Sequence, residues 1–74
     1  MTLNIKQGVT IVAFSNGNEN IVYGLNAQVV SQLTGRKCEQ TARGTQYMKY
    51  NQQEAIAIEA RVVAKGYKIA YLEA

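Results

Sequence analysis

The chain contains no proline, tryptophan, histidine or aspartate, and a single cysteine, Cys38. Each absence closes a chemistry. One thiol and no imidazole cannot assemble a transition-metal site. A Ser-His-Asp triad is impossible without histidine and aspartate. A lone thiol excludes an internal disulfide and fits a reducing compartment. Activation of Cys38 itself needs a base, a cation or a helix N-terminus beside it. Lys37 is its sequence neighbour, but on a strand it points the opposite way. Gly17, Gly24 and Gly35 are too scattered to cradle a phosphate. Glu54 and Glu59 stand five apart on a predicted helix and do not face one cleft. No catalytic residue, metal or cofactor is therefore expected, and an enzyme is not. The N-terminal MTLNIKQG has no apolar core, and no run approaches membrane-spanning length. A cytoplasmic protein with no membrane partner is expected.

What is present reads as one globular domain over residues 1–74, with 47% hydrophobic and 18% charged residues. A domain this small has a narrow stability margin, which a homodimer or a bound partner would widen. Eight Lys and Arg against five Glu give a net charge of +3, mildly basic and short of a polybasic arm.

The clearest local signals lie in the last third of the chain. Asn51 is a good N-cap, and Glu54, three residues on, completes a capping box. Ile56, Ala60 and Val63 form an apolar stripe, widened by Ala55, Ile58 and Val62. Gly66 supplies a left-handed stop. Tyr67–Leu72 follows as a strand with apolar residues on both faces, which predicts a place inside a sheet.

Upstream, Met1–Gln7 begins a strand or frays, and Val9–Phe14 is a strand dense in β-branched residues. Ser15–Asn18 contains Asn16-Gly17, a strong hairpin signal. Asn20–Leu25 returns as a strand, where Gly24 marks a bulge or close packing. Asn26 caps a short helix over Ala27–Thr34, with Ala27, Val30 and Leu33 on one side and Gly35 as its stop. Arg36–Thr41 and Thr45–Tyr50 read as strands joined around Ala42-Arg43-Gly44. The expected fold class is α+β: a small mixed β-sheet of about five strands with two helices, in the order ββαββαβ.

The segment from Met48 to Ala74 resembles the end of the N-terminal domain of the DNA mismatch-repair protein MutS. Tyr50, Ala60, Lys65, Gly66, Tyr67, Lys68, Ile69, Ala70 and Glu73 carry the likeness. Upstream, the strand ending at Phe14, Gly17, Ala27, the run Leu33-Thr34-Gly35-Arg36 and Cys38 fall in the family's order. The resemblance covers most of the chain and is strongest over its last third. It implies a small mixed sheet with two helices and suggests DNA binding. The family's Phe-X-Glu mismatch motif is replaced here by Glu19-Asn20-Ile21, so the aromatic wedge is missing. The family's clamp, connector and ATPase domains are also absent from this sequence. A general DNA-binding role is what remains of the implication, since fold alone does not carry function.

On the residues themselves, Arg36, Lys37, Arg43 and Lys49 cluster on the middle hairpin, with Glu39 the one acid among them. Lys49 shares a face with Tyr47. Cations beside an exposed Tyr suit phosphate contacts and base stacking. Arg61, Lys65 and Lys68 form a second, weaker strip. The leading expectation is a small non-enzymatic nucleic-acid-binding protein making backbone contacts through this hairpin, to DNA in preference to RNA. The alternative is a protein-interaction module, such as a phage or mobile-element protein that binds and modulates a larger host or defence complex. Self-association through an exposed strand edge is a third reading.

Overall fold

The structure, a computed structural model, describes residues 10–73. The expectation for Met1–Gln7, like the first residue of the Val9–Phe14 strand, lies outside the described residues. Seven elements follow one another as β1 (Thr10–Asn16), β2 (Glu19–Tyr23), α1 (Gly24–Thr34), β3 (Glu39–Gln40), β4 (Gln46–Asn51), α2 (Gln52–Ala64) and β5 (Lys68–Glu73). This is the expected α+β order, with two helices and one mixed sheet of five strands.

The strands lie in the order β3-β4-β2-β1-β5. β1 pairs antiparallel with β2 and parallel with β5; β2 and β3 each pair antiparallel with β4. The pleat sends alternate residues to opposite faces. On one face Ile11, Ala13, Val22, Met48 and Tyr50 meet Ala27 and Val30 of α1 and Ala55, Ile58 and Val62 of α2, and all of these are buried. Both helices thus cover the same side. Across it, the Tyr50 hydroxyl donates to the Tyr71 hydroxyl at 3.2 Å, tying β4 to β5. Desolvation raises the pKa of both phenols, so the pair stays protonated.

The helix ends follow their local code. In α2, Asn51 Oδ1 accepts from the Glu54 amide at 2.7 Å, while the Glu54 carboxylate accepts from the Asn51 amide at 2.9 Å. The expected capping box is complete. At the other end Gly66, at φ 87°, lets its own amide reach Val63 O and the Tyr67 amide reach Val62 O. Those are the two bonds of a Schellman stop. α1 ends at Gly35 in the same left-handed region, as expected.

Five expectations are corrected. The β1–β2 turn sits one residue later, on Gly17-Asn18, with Gly17 alone at positive φ, as a type II′ hairpin requires. Docking on α2 holds it there: the Gln52 amide donates to Asn18 O at 3.2 Å and Gln52 Nε2 to Gly17 O at 3.4 Å. Secondly, β2 stops at Tyr23, and Gly24 (φ 58°) swings the chain directly into α1. Asn26 is consequently inside the helix and is not its cap. Its Oδ1 accepts from the Val12 amide at 3.1 Å, beyond the last β1–β2 pair. Thirdly, Arg36–Cys38 leave the sheet plane because α1 holds them. The Ser31 hydroxyl donates to Arg36 O, the Arg36 amide to Thr34 Oγ1, and the Cys38 thiol to Ala27 O. β3 shrinks to Glu39–Gln40.

The fourth correction concerns β5, which is an edge strand: among the described residues it pairs only with β1. Its two-sided apolar character arises because Ile69 packs on the core while Ala70 and Leu72 take the opposite face. Lastly, α2 is rotated relative to its expected stripe. Ala55, Ile58 and Val62 are buried, whereas Ile56 and Val63 are 74% and 64% exposed.

Candidate nucleic-acid interface

The face of the sheet away from the helices is built by strict alternation. The cross-strand pairs Tyr47↔Tyr23, Lys49↔Ile21 and Phe14↔Ile21 put these side chains on it, and the parallel pairs Val12↔Ala70 and Phe14↔Leu72 extend it to β5. Among the described residues no element packs over it. Phe14, Tyr23 and Leu72 are between about two-fifths and one-half exposed. Three rings form a row across β1, β2 and β4, diagonal from Phe14 to Tyr23 and directly cross-strand from Tyr23 to Tyr47. Phe14 and Tyr23 meet edge to face with centroids 6.0 Å apart, and Tyr23 and Tyr47 lie 6.5 Å apart, tilted by 42°. Aromatic neighbours in this arrangement support one another while leaving ring surface to solvent.

The structure disperses the expected cations. Tyr47 and Lys49 share the open face, as their spacing implied, and Arg43 occupies the exposed tip of the β3–β4 hairpin. The tip is shaped locally: Thr41 O accepts from the Gly44 amide at 2.9 Å and Thr41 Oγ1 from the Thr45 amide at 3.2 Å, with Gly44 at φ 86°. Arg36 and Lys37 lie on the other side. The Arg36 guanidinium meets the Glu54 carboxylate at 2.8 Å, over a depression shared with Ala57, Ile58 and Arg61 of α2. Lys37 lines a polar hollow with Gln28 and Gln32 of α1 and with Cys38. The four cations read as one hairpin cluster therefore do not form one surface. The reason is the withdrawal of Arg36–Cys38 toward α1, which places them beside the helices.

Glu54 serves two partners at once. The Asn51 amide, first, and the Arg36 guanidinium hold its carboxyl below the usual glutamate range. Arg36 is thus engaged in structure. Lys49 is freer: its Nζ is 3.9 Å from Glu19 Oε1, and both side chains are about half exposed. At that separation, in solvent, the pair is weak, and the ammonium can swing to another anion. Lys68 stands at the far corner of the same face, opposite Thr10.

Phe14, Ile21, Tyr23 and Leu72 were not among the site residues expected from sequence. A signal for them exists, since Val9–Phe14 and Tyr67–Leu72 carry apolar residues on both faces. That pattern reads equally as burial on both sides. Only the placement of both helices on one side turns it into an exposed surface.

Among the described residues no group of three or more His, Cys, Asp or Glu could hold a metal ion. No described helix is long and apolar enough to cross a membrane. Neither protein-family profiles nor curated proteins give a match to this chain.

Proposed function

We propose that this chain is a small non-enzymatic nucleic-acid-binding protein whose contact surface is the open sheet face together with the hairpin tip. The observation that carries the reading is the row Phe14–Tyr23–Tyr47 on the open face, Phe14 and Tyr23 exposed and Tyr47 half-buried, beside Lys49, whose ammonium is held only by a long 3.9 Å contact with Glu19. Rings offer bases a stacking surface regardless of sequence, and Lys49, Lys68 and Arg43 offer phosphates a charge. Arg36, paired with Glu54, is structural in this reading, and Lys37, on the helix side, takes no part in the contact surface. The preference for DNA rests on the likeness to the MutS N-terminal domain, as does kinship with that family. The cytoplasm is the proposed setting, where the single thiol stays reduced. Titrating labelled DNA and RNA at two salt concentrations tests the proposal. With about three phosphate contacts to a single strand, log K should fall with log salt at a slope of roughly −2. Lys49→Glu with Arg43→Glu should abolish binding, while Arg36→Ala should leave it intact. Salt-independent binding, or the reverse ranking of variants, sinks it.

A second reading, the protein-interaction module, is favoured by one separate observation. The outward side of α2 carries Ile56 and Val63 largely exposed, with Ala57, Ala60 and Ala64 between and beside them. Such a ridge suits a protein partner better than a phosphate backbone. A pull-down from lysate that survives nuclease and salt but is lost in Ile56→Ser/Val63→Ser would favour this reading. Retention by the double variant would remove it.

A further inference from the structure

On the open face a depression of about 250 Å3 is lined by Ile21, Tyr23, Thr41, Tyr47 and Lys49. It is smaller than the roughly 300–1,000 Å3 cleft of a drug-sized ligand, and suits one ring system. We infer that this hollow seats a single unpaired nucleobase, with Lys49 on the adjoining phosphate, so that the face selects single strands over duplex. The inference rests on the nucleic-acid reading above and narrows its ligand.

Four features define the slot. The rings of Tyr23 and Tyr47, with centroids 6.5 Å apart and planes tilted by 42°, both line the hollow and offer it aromatic surface. Ile21, between Phe14 and Lys49 in the sheet, supplies apolar contact at its floor. Thr41 sits at one rim, where its Oγ1 accepts from the Thr45 amide and its hydroxyl proton remains available to a base edge. Lys49 sits at another rim, with its ammonium only loosely held by Glu19. Charge complementarity also sets the path of the strand. Glu39 faces Tyr47 from β3 with no ion-pair partner among the described residues, whereas Glu19 on the other side is offset by the Lys49 ammonium 3.9 Å away, so the backbone runs on the Lys49 side. A duplex keeps its base faces stacked inside and presents only edges, which this hollow cannot grip. Single strands expose base faces to aromatic platforms.

The chain lacks tryptophan, so its emission comes from five tyrosines, and a base stacked on Tyr23 and Tyr47 quenches it directly. Oligothymidine, an abasic strand of equal charge and a hairpin duplex are titrated against the unchanged protein, followed by anisotropy and tyrosine emission. The abasic strand and the duplex should bind roughly 5–150-fold more weakly than oligothymidine, the range that stacking of one base on aromatic side chains carries. Tyr47→Leu and Tyr23→Leu should each reduce oligothymidine affinity within that range and leave abasic binding unchanged. Equal affinity for oligothymidine and the abasic strand, without quenching, overturns the slot and leaves backbone binding standing. Binding of none of the three overturns both readings. Because the abasic comparison uses the unchanged protein, a variant that misfolds does not blunt the test.

Discussion

Two isoleucines two positions apart on α2 give the sharpest check on this architecture. Ile58 is 3% exposed and packs in the core between the helices and the sheet, while Ile56 is 74% exposed. The same substitution, Ile→Ala, deletes the same atoms from the same helix. At Ile58 it removes buried apolar surface and leaves a cavity, at a cost of about 2–5 kcal/mol. A 74-residue domain has a total stability of roughly 4–11 kcal/mol, so the loss is a large share of the whole. At about 4–8 °C per kcal/mol for a domain of this size, Tm should fall by at least ~8 °C. At Ile56 almost nothing is uncovered, and alanine's better helix propensity returns a few tenths of a kcal/mol. Ile56→Ala should therefore unfold within about 0.5 kcal/mol of the parent chain. Urea denaturation followed by circular dichroism reads both variants. Equal destabilisation would refute the rotation of α2 described above. A larger loss at Ile56 would mean that its face is covered in the native protein.

Asn20 is fully buried on the helix side of β2. Its Nδ2 has no partner and its Oδ1 receives only a long 3.5 Å contact from Gln52, so Asn20→Val should stabilise the fold by roughly 1–2 kcal/mol in the same assay. Asn26→Ala should remove the partner of the Val12 amide, cost about 1 kcal/mol and speed hydrogen exchange at Val12 specifically; unchanged exchange there would contradict the side-chain bond. The Glu54 pKa is lowered on folding, so its contribution is present above the unfolded glutamate value of about 4.3 and is lost as pH falls through the lower folded value. Stability of the parent chain should drop across that acid window, and Glu54→Gln should flatten the drop; a parallel pH profile for the variant would count against the assignment.

Much of the fold was legible because short-range chemistry specified it. Asn51 with Glu54, and Gly66 with Tyr67, encode the two ends of α2 within a few residues, and both ends form as read. The glycine stop of α1, the element order and the alternation that pairs Tyr47 with Lys49 on one face are equally local. What failed to show was long-range. Nearly every side of α2 offers an apolar residue, so periodicity alone leaves its rotation undetermined. Its burial is decided by packing: α2 follows β4 without a loop, and Ala55, Ile58 and Val62 join the core shared with the sheet and α1. The hairpin cations separated for a similar reason: Ser31, Thr34 and Ala27 of α1 hold Arg36–Cys38 away from the sheet, through contacts spanning up to eleven positions. Which face of the sheet stays open depended on both helices choosing the same side, a choice made by packing between elements. The sequence by itself determined the order of the elements, both ends of α2 and the stop of α1, because those caps are satisfied by neighbours in the chain. Only the tertiary structure decided which rings and charges meet solvent together, because that depends on how separate elements are rotated against one another.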